Sequence, residues 1–188
     1  MNQAHLDLCA SDEWAAVIRD EIVPWAIDGI ELGDRVIEIG PGPGCTTDVV
    51  QHLTAELTVV ELDRALADAL TERFDGTNVT VVTGDASALP FEDGEFTAAL
   101  SFNMLHHVPT PELQDRVLAE LARVVRPGGW IAGEDSRPSD GLRDFHDGDT
   151  YVPLDPETLP GRLTAAGWLD VQVITNEYAT RFRGLAPA

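Results

Sequence analysis

Short apolar runs alternate along this chain with stretches in which apolar residues recur every three or four positions. Successive residues of the runs are apolar, which predicts strands covered on both faces of a sheet. Five such strands are predicted, at residues 35–39, 57–61, 79–83, 96–101 and 130–134. Because helical stretches separate them with short connections, the pattern favours a parallel sheet with right-handed crossovers.

The helical stretches have recognisable ends. Residues 64–74 and 112–125 each carry an apolar stripe at helical spacing, and the sequence Pro-Gly-Gly at 127–129 predicts the end of the second helix. Ser11 is a predicted N-cap for a helix within the first 30 residues, and Pro24 is expected to kink or end that helix.

The end of the chain predicts one more helix and a strand pair. Residues 155–166 have a helical pattern, and residues 169–175 and 178–183 resemble strands. Because the turn between the two strands is short, they must be antiparallel. The polar stretch 135–153 is long for a connection inside a compact domain, which predicts a functional or mobile loop.

Composition and charge argue against some classes of binding partner. The 188 residues fit a single domain, 1–188, and contain 33 acidic and 12 basic residues, a net charge of −21. Such a surface repels phosphate backbones and anionic membranes, so neither nucleic acid nor a membrane is an expected partner. All basic residues are arginines, which excludes lysine-based chemistry. The acidic, lysine-free composition indicates either arginine codon bias or adaptation to high salt.

The cysteines and the hydropathy give three further expectations. Cys9 and Cys45 provide neither a disulfide framework nor a zinc ligand set, so we expect no metal. No signal peptide or membrane span is recognisable in the sequence. The default expectation is therefore a soluble, cytoplasmic protein.

A glycine-rich loop follows the first predicted strand. Gly40, Gly42 and Gly44 alternate with two prolines just before a predicted helix. Glycines allow sharp turns and close approach of a ligand, and the helix start offers unpaired N–H groups. A dinucleotide fingerprint would need its third glycine at position 45, where this chain has Cys45. This spacing counts against a nicotinamide or flavin dinucleotide, and no Gly-Lys pair follows that would indicate a P-loop.

Acidic residues follow the same pattern at the next two strands. Glu61 lies at the end of the second strand and Asp85 follows the third. A carboxylate at the first position can accept hydrogen bonds from ribose hydroxyls. A carboxylate at the second can accept one from an adenine amino group. The glycine loop and the two acids lie at three consecutive strand ends, and together they predict a nucleotide-like ligand.

Several motifs together resemble one family. They are residues 36–44, 60–63, 84–86 with 89–91, 96–108 ending in Leu-His-His-Val, and 123–129. In this combination the chain resembles the class I S-adenosylmethionine-dependent methyltransferases, of the small-molecule, type 11-like group, over residues 22–168. One departure is Thr97, since the family often has aspartate at that position.

The resemblance implies a fold, a cofactor and a set of cofactor-binding residues. The fold would be doubly wound α/β, with a seven-stranded, mostly parallel sheet in the order 3-2-1-4-5-7-6 and an antiparallel strand 7. The cofactor would be S-adenosyl-L-methionine and the product S-adenosyl-L-homocysteine. The residues implied at the cofactor are Glu38, Gly40, Pro41, Gly42, Gly44, Glu61, Leu62, Asp85, Ala86, Ser101 and Phe102.

The resemblance also assigns roles within this set. The loop glycines would pass under the methionine part of the cofactor, and Glu61 would hold its ribose. Leu62 would border the adenine, whose amino group would meet Asp85. Ser101 and Phe102 would line the methionine end. Residues 1–30 would form a helical cover and residues 135–153 the acceptor-side loop.

Histidines provide candidates for the chemistry at the acceptor. His106 and His107 follow the fourth strand, and one of them, His106 in particular, is hypothesised to act as a base or to orient the acceptor. The alternative is that both pack locally. His146 and Tyr151 are weaker candidates. The arginines at 137 and 143 either bind an acceptor carboxylate or pair with nearby aspartates.

The favoured function is methyl transfer from S-adenosylmethionine to a small molecule, with an oxygen acceptor such as a hydroxyl or carboxylate. Two readings from other classes stay open. One is a non-catalytic S-adenosylmethionine-binding module, and the other is a nicotinamide-dependent oxidoreductase. Since no inserted cap domain is present, a homodimer that shields the pocket is a further expectation.

Overall fold

The computed structural model describes residues 2–187, apart from the side chain of Gln3, and contains a seven-stranded sheet. Its strands are β1 (Arg35–Ile39), β2 (Glu56–Glu61), β3 (Val79–Thr83), β4 (Phe96–Phe102), β5 (Val125–Ser136), β6 (Leu169–Thr175) and β7 (Ala179–Leu185). They lie in the order β3-β2-β1-β4-β5-β7-β6. Strand β7 is antiparallel to both of its neighbours, and the other pairs are parallel. The predicted fold class and strand order are confirmed.

Helices cover both faces of this sheet. They are α1 (Gln3–Cys9), α2 (Asp12–Val17), α3 (Val23–Ala26), α4 (Cys45–Val50), α5 (Arg64–Arg73), α6 (Pro111–Val124), α7 (Asp140–Phe145) and α8 (Leu159–Ala165). A short 3₁₀ turn, Leu105–His107, follows β4. The helix predicted at 155–166 is α8, which begins later than predicted, at Leu159.

Alternate residues of the strands supply two separate cores. Along β1, Val36 joins the core beneath the N-terminal helices, whereas Ile37 and Ile39 join the core beneath α6 and α8. This division follows from the two-residue period of a strand. Both faces are buried, which is why the strands are continuously apolar in the sequence.

The Pro-Gly-Gly sequence lies within a strand rather than just after a helix. Helix α6 ends at Val124, and Val125 already pairs with Phe96 of β4. The register then shifts, because Ala98 pairs with Trp130. A Cβ at Gly129 would lie 2.5 Å from the Thr97 carbonyl oxygen, so the glycine allows β5 to pass close to β4.

Pro24 neither kinks nor ends the N-terminal helical segment at its own position. The segment widens into a π-helical turn at Ile18–Ile22, and α3 then begins with Pro24 in its first turn. The helical segment is continuous from Asp12 to Ala26, so Pro24 lies inside it, and the π-helical turn directly precedes the residues around the missing proline N–H. The chain stays helical as far as Ala26.

The stretch 135–153 is more ordered than a simple loop. It begins with the end of β5 and contains α7, whose N-cap Ser139 accepts a hydrogen bond from the Leu142 N–H at 3.1 Å. Asn2 donates its side-chain N–H to the Phe145 carbonyl at 2.8 Å. Helices α1 and α7 therefore meet above the carboxyl ends of the strands.

Candidate functional site

A cavity of about 1200 Å³ lies at the carboxyl ends of the parallel strands. Its floor is formed by the ends of β1, β2 and β4 and by the loop after β3, and α1 and α7 lie on its other side. The predicted site residues on its wall are Gly40, Pro41, Gly42, Glu61, Leu62, Asp85, Ala86, Phe102, His106 and His107. Within the described residues, Glu38, Gly44 and Ser101 lie behind this wall.

The glycine loop has backbone conformations that other residues adopt only with strain. The φ angles of Gly40, Gly42 and Gly44 are +60°, +55° and +92°. A Cβ at Gly40 would clash with Met104, and one at Gly44 would lie 2.7 Å from Leu70 Cδ2. The loop therefore presents bare main chain to the cavity, which fits a ligand that packs against the backbone.

Glu61 joins this loop to the end of β2. Its Oε2 accepts the Gly42 N–H at 3.1 Å, and its Oε1 accepts the Asp63 N–H at 2.9 Å. Burial raises the pKa of the Glu61 carboxyl above its ordinary value. Each carboxylate oxygen can accept a second hydrogen bond, so the fixed carboxylate can bind a pair of hydroxyls.

The residues beyond Glu61 fit an adenine ring. Leu62 is 71% exposed although it lies on the cavity wall, so an apolar ring could cover it. Asp85 lines the same part of the wall, and its Oδ1 accepts the Ser87 N–H at 2.8 Å. This turn fixes the carboxylate, which can accept from an exocyclic amino group.

Glu38 lies beneath the loop and stabilises it from behind. Its carboxylate accepts hydrogen bonds from Thr46 Oγ1 and, at 2.8 Å, from Thr47 Oγ1. Burial raises the pKa of Glu38 to about 7. The residue therefore ties β1 to the first turn of α4, and its side chain is directed away from the cavity wall.

His106 forms a buried pair with Asp135 at the other end of the cavity. The His106 Nδ1 lies 2.6 Å from Asp135 Oδ1, and both side chains are almost fully buried. The His106 Nε2 lies 3.2 Å from His146 Nε2. His146 in turn has its Nδ1 2.6 Å from the Leu142 carbonyl oxygen.

The contact of His146 with the Leu142 carbonyl restricts the direction of its hydrogen bond with His106. A carbonyl only accepts, so His146 Nδ1 carries a proton and a neutral His146 has its lone pair on Nε2. The 3.2 Å contact is then a hydrogen bond only if His106 Nε2 donates.

Two further histidines surround this pair. His5 comes from α1, and the His5 ring centroid lies 4.7 Å from that of His146 and 4.9 Å from that of His107. Burial lowers the pKa of His5 to about 4 and that of His107 to about 3. His107 Nδ1 lies 3.3 Å from the Thr150 carbonyl oxygen.

The sequence analysis did not predict the part played by His5. Nothing local distinguishes it, because it lies in a short helix far from the motifs, and only the docking of α1 onto α7 brings it to the cavity. Of the two candidate arginines, Arg137 donates to the Asn176 carbonyl at 2.8 Å and Arg143 is exposed. Neither is on the cavity wall.

Comparison with known proteins places this architecture among methyltransferases. A family model described as a methyltransferase domain matches residues 37–133, just over half of the chain. The match runs from β1 to β5 and includes the glycine loop, both acidic strand ends and the histidine pair.

Curated relatives are similar over part of their length. A phthiotriol/phenolphthiotriol dimycocerosates methyltransferase 1 of Mycobacterium ulcerans is 34% identical, over 62% of this chain and 43% of that protein. A ribosomal RNA small subunit methyltransferase A of Parasynechococcus marenigrum is 37% identical, over 58% and 37%. A fatty-acid O-methyltransferase of Mycolicibacterium smegmatis is 34% identical, over 56% and 38%. The matched region is thus less than half the length of each of these relatives.

Solved structures share the fold at low sequence identity. Haemonchus contortus phosphoethanolamine N-methyltransferase 2, in complex with phosphomonomethylethanolamine and S-adenosylhomocysteine, has a TM-score of 0.71 at 15% identity, over 89% of this chain and 52% of that one. A putative methyltransferase in complex with the Haloferax volcanii Trm112 activator has a TM-score of 0.75 at 14% identity, over 100% and 99%. Within residues 2–187, no helix is long and apolar enough to cross a membrane.

Proposed function

Because the chain belongs to the methyltransferase domain family, we propose that it transfers a methyl group from S-adenosylmethionine to an oxygen atom of an apolar small molecule. The observation that carries this proposal is a continuous cavity that has a nucleotide-type wall at one end and histidines at the other. Its volume of about 1200 Å³ exceeds the roughly 300–1,000 Å³ of most small-ligand pockets, so it can hold a cofactor and an acceptor side by side.

The residues on the nucleotide-type wall fit the cofactor. Glu61 would bind the ribose hydroxyls, Asp85 the adenine amino group, and the bare loop at Gly40 and Gly42 would lie against the methionine part. When bound, S-adenosylmethionine supplies an electrophilic methyl group. The chain's own part is to hold both partners in line and to exclude water.

The other end of the cavity favours a small apolar acceptor. Its wall includes the apolar side chains of Leu6, Leu142 and Phe145, which belong to the two covering helices. Helices α1 and α7 cover it, which leaves little room for a macromolecule, and the charge of −21 opposes binding of RNA. The similarity to a protein named fatty-acid O-methyltransferase also supports an oxygen acceptor.

We assign the histidines at this end to positioning the acceptor. His106, His107 and His146 all line the cavity. Because His106 Nε2 faces His146, His106 would act chiefly by orienting its neighbours. His106→Asn should then raise the KM of the acceptor more than it lowers kcat. A fall in kcat alone, with an altered pH profile, would instead assign His106 the role of a base.

The first test is calorimetric titration with S-adenosylhomocysteine, with NAD as the comparison ligand. We expect micromolar binding of the first and none of the second. Asp85→Ala and Glu61→Ala should weaken binding about tenfold or more, since each removes hydrogen bonds to a polar ligand group. Glu177→Ala, an exposed acid at the β6–β7 turn, is the matched control and should bind normally.

The second test is an acceptor screen with methyl-labelled S-adenosylmethionine. Fatty acids and apolar hydroxyl compounds should become labelled, and ribosomal RNA should not. Binding of NAD alone would indicate an oxidoreductase. Binding of S-adenosylhomocysteine without turnover on any acceptor would indicate a non-catalytic module. Labelling of RNA would overturn the proposed acceptor class.

A further inference from the structure

Three histidines from separate segments bring one ring nitrogen each close together beside the cavity. They are His5 of α1, His107 of the 3₁₀ turn and His146, which directly follows α7. One nitrogen of each ring lies within 4.8 Å of one nitrogen of each of the others. His5 and His146 are buried, and His107 is half-buried.

Two of these nitrogens are buried without a hydrogen-bond partner. They are Nδ1 of His5 and Nε2 of His107. A buried polar atom with no partner costs free energy, and an ion that binds there is one way to recover that cost. The nearest carboxylate oxygen to His5 Nδ1 is Asp149 Oδ2, at 3.7 Å, which is beyond hydrogen-bond distance.

The outer nitrogens of His107 and His146 are already oriented as in metal sites. His146 Nδ1 lies 2.6 Å from the Leu142 carbonyl oxygen and His107 Nδ1 lies 3.3 Å from that of Thr150. Metal-bound histidines usually donate their second N–H to such a carbonyl, which directs the Nε2 lone pair at the ion. His107 Nε2 is thus available as a ligand atom, and His146 Nε2 becomes available once its contact with His106 Nε2 is given up.

We propose that His5, His107 and His146 form a binding site for one divalent first-row transition ion, with Zn²⁺ as the representative case. Neutral imidazole is the ligand that Zn²⁺, Cu²⁺, Fe²⁺ and Ni²⁺ share. At metal–nitrogen distances of about 2.0–2.1 Å, ligands of a tetrahedral ion are about 3.4 Å apart. The 4.8 Å limit therefore requires a movement of little more than 1 Å, and the ion would replace the contact between His106 and His146.

Two consequences follow from where the three ligands lie. Because they come from α1, the 3₁₀ turn and the segment after α7, the ion would fasten both covering helices to the end of the sheet. Three protein ligands also leave one position of a tetrahedral ion open, and all three residues line the cavity.

The test is direct metal binding by the full chain, independent of any methyl transfer. Protein stripped with chelator is titrated with Zn²⁺ by calorimetry and with Co²⁺ by visible absorption, which is intense for tetrahedral nitrogen sites. We expect one ion per chain with micromolar or tighter affinity. Absence of saturable binding in the wild-type chain would overturn the proposal, whatever the variants do.

Variants then locate the ion. His5→Ala, His107→Ala and His146→Ala should each weaken binding more than about 100-fold, since even second-shell partners are worth 10–100-fold. His52→Ala removes an exposed histidine elsewhere on the chain and is the matched control. Equal loss in His52→Ala, or no loss in the three ligand variants, would overturn the site. Circular dichroism checks folding, and His146→Gln replaces any alanine variant that fails to fold.

Discussion

Some residues of the sequence motifs contact the protein interior rather than the cavity, and Glu38 is the example. Glu38 belongs to a motif that the sequence analysis assigned to the cofactor, yet its carboxylate bonds to Thr46 and Thr47. A sequence cannot show this difference, because β1 is buried on both faces and either face is compatible with an acid. The same limit applied to His5 and His146, which are adjacent only in the folded chain.

In the glycine loop, Gly40→Ala should destabilise the fold more than replacing a glycine of positive φ whose surroundings are open. Gly76 has φ +75° with nothing near a Cβ, so Gly76→Ala should cost about 1–2 kcal/mol from backbone strain alone. Gly40→Ala adds a clash with Met104, which should raise the cost by a further 1–3 kcal/mol or so. Urea denaturation of both variants measures the difference.

The clash can be separated from the strain with a double-mutant cycle. Gly40→Ala combined with Met104→Ala should recover the extra cost, leaving a favourable coupling energy between the two positions. If Gly40→Ala and Gly76→Ala cost the same, the close approach of Met104 to the loop would be refuted.

Glu134 gives a pH-dependent prediction. Burial raises its pKa to about 8 from 4.5, so the folded chain binds more protons than the unfolded chain between those values. Stability should therefore fall as pH rises through this window. Glu134→Gln keeps an acceptor for Asn103 Nδ2, which lies 2.8 Å from Glu134 Oε2 in the wild type. The variant should flatten the dependence by about 5 kcal/mol across the window, since each pKa unit is worth about 1.4 kcal/mol.

The measurement is the urea midpoint of wild type and Glu134→Gln at acid and alkaline ends of that window. Glu177→Gln, at an exposed position, serves as the comparison and should keep the wild-type slope. A wild-type stability that rises with pH, unchanged by Glu134→Gln, would contradict the assignment. Glu38 should leave part of the slope in place, since its pKa is also raised, to about 7.

Among the elements, strands were predictable and their covering segments were not. The apolar runs of β1 to β4 gave bounds within a residue or so, because burial on both faces leaves a continuous signal. The start of β5 was placed too late, at 130 rather than Val125, since the Pro-Gly-Gly bulge hides the first pairing with β4. Helix α7 was missed because it is short and lies in a polar stretch.

Helix α1 should be dispensable for folding and needed for the site. Within residues 2–187, neither core cluster includes a residue of α1: one begins with Trp14 and the other with Ile37. Deleting residues 2–10 should change the free energy of unfolding by about 1 kcal/mol or less, as expected for a terminal segment outside the core. Binding of S-adenosylhomocysteine should weaken about tenfold, because four residues of α1 line the cavity.

Calorimetric titration and urea denaturation of the shortened chain test both halves of this prediction. Loss of the cooperative transition would show that α1 belongs to the core. Unchanged binding would show that the cavity does not depend on its cover.

For the whole molecule, the charge of −21 is the dominant property besides the fold. Like charges on one compact surface repel, and salt screens this repulsion. The melting temperature should therefore rise between low and molar KCl, by several degrees if the acidic surface reflects high-salt adaptation. No rise would leave arginine codon bias as the account of the composition.

Shielding of the cavity is also a property of the whole chain. A second copy of the chain was the expected source of this shielding. In the structure the chain covers its own site, since α1 and α7 meet through Asn2, which contacts the Phe145 carbonyl and Asp149 Oδ2. Burial of the acceptor end therefore requires no dimer.

The contacts of Asn2 with Phe145 and Asp149 have a practical consequence for recombinant protein. The main-chain N–H of Asn2 lies 3.1 Å from Asp149 Oδ2, so a purification tag fused ahead of it would emerge at the cavity rim. A hexahistidine tag there would place six competing imidazoles beside His5 and His146. Preparations tagged at the carboxyl end, or cleaved, should therefore differ from amino-terminally tagged ones in apparent metal content and in acceptor turnover.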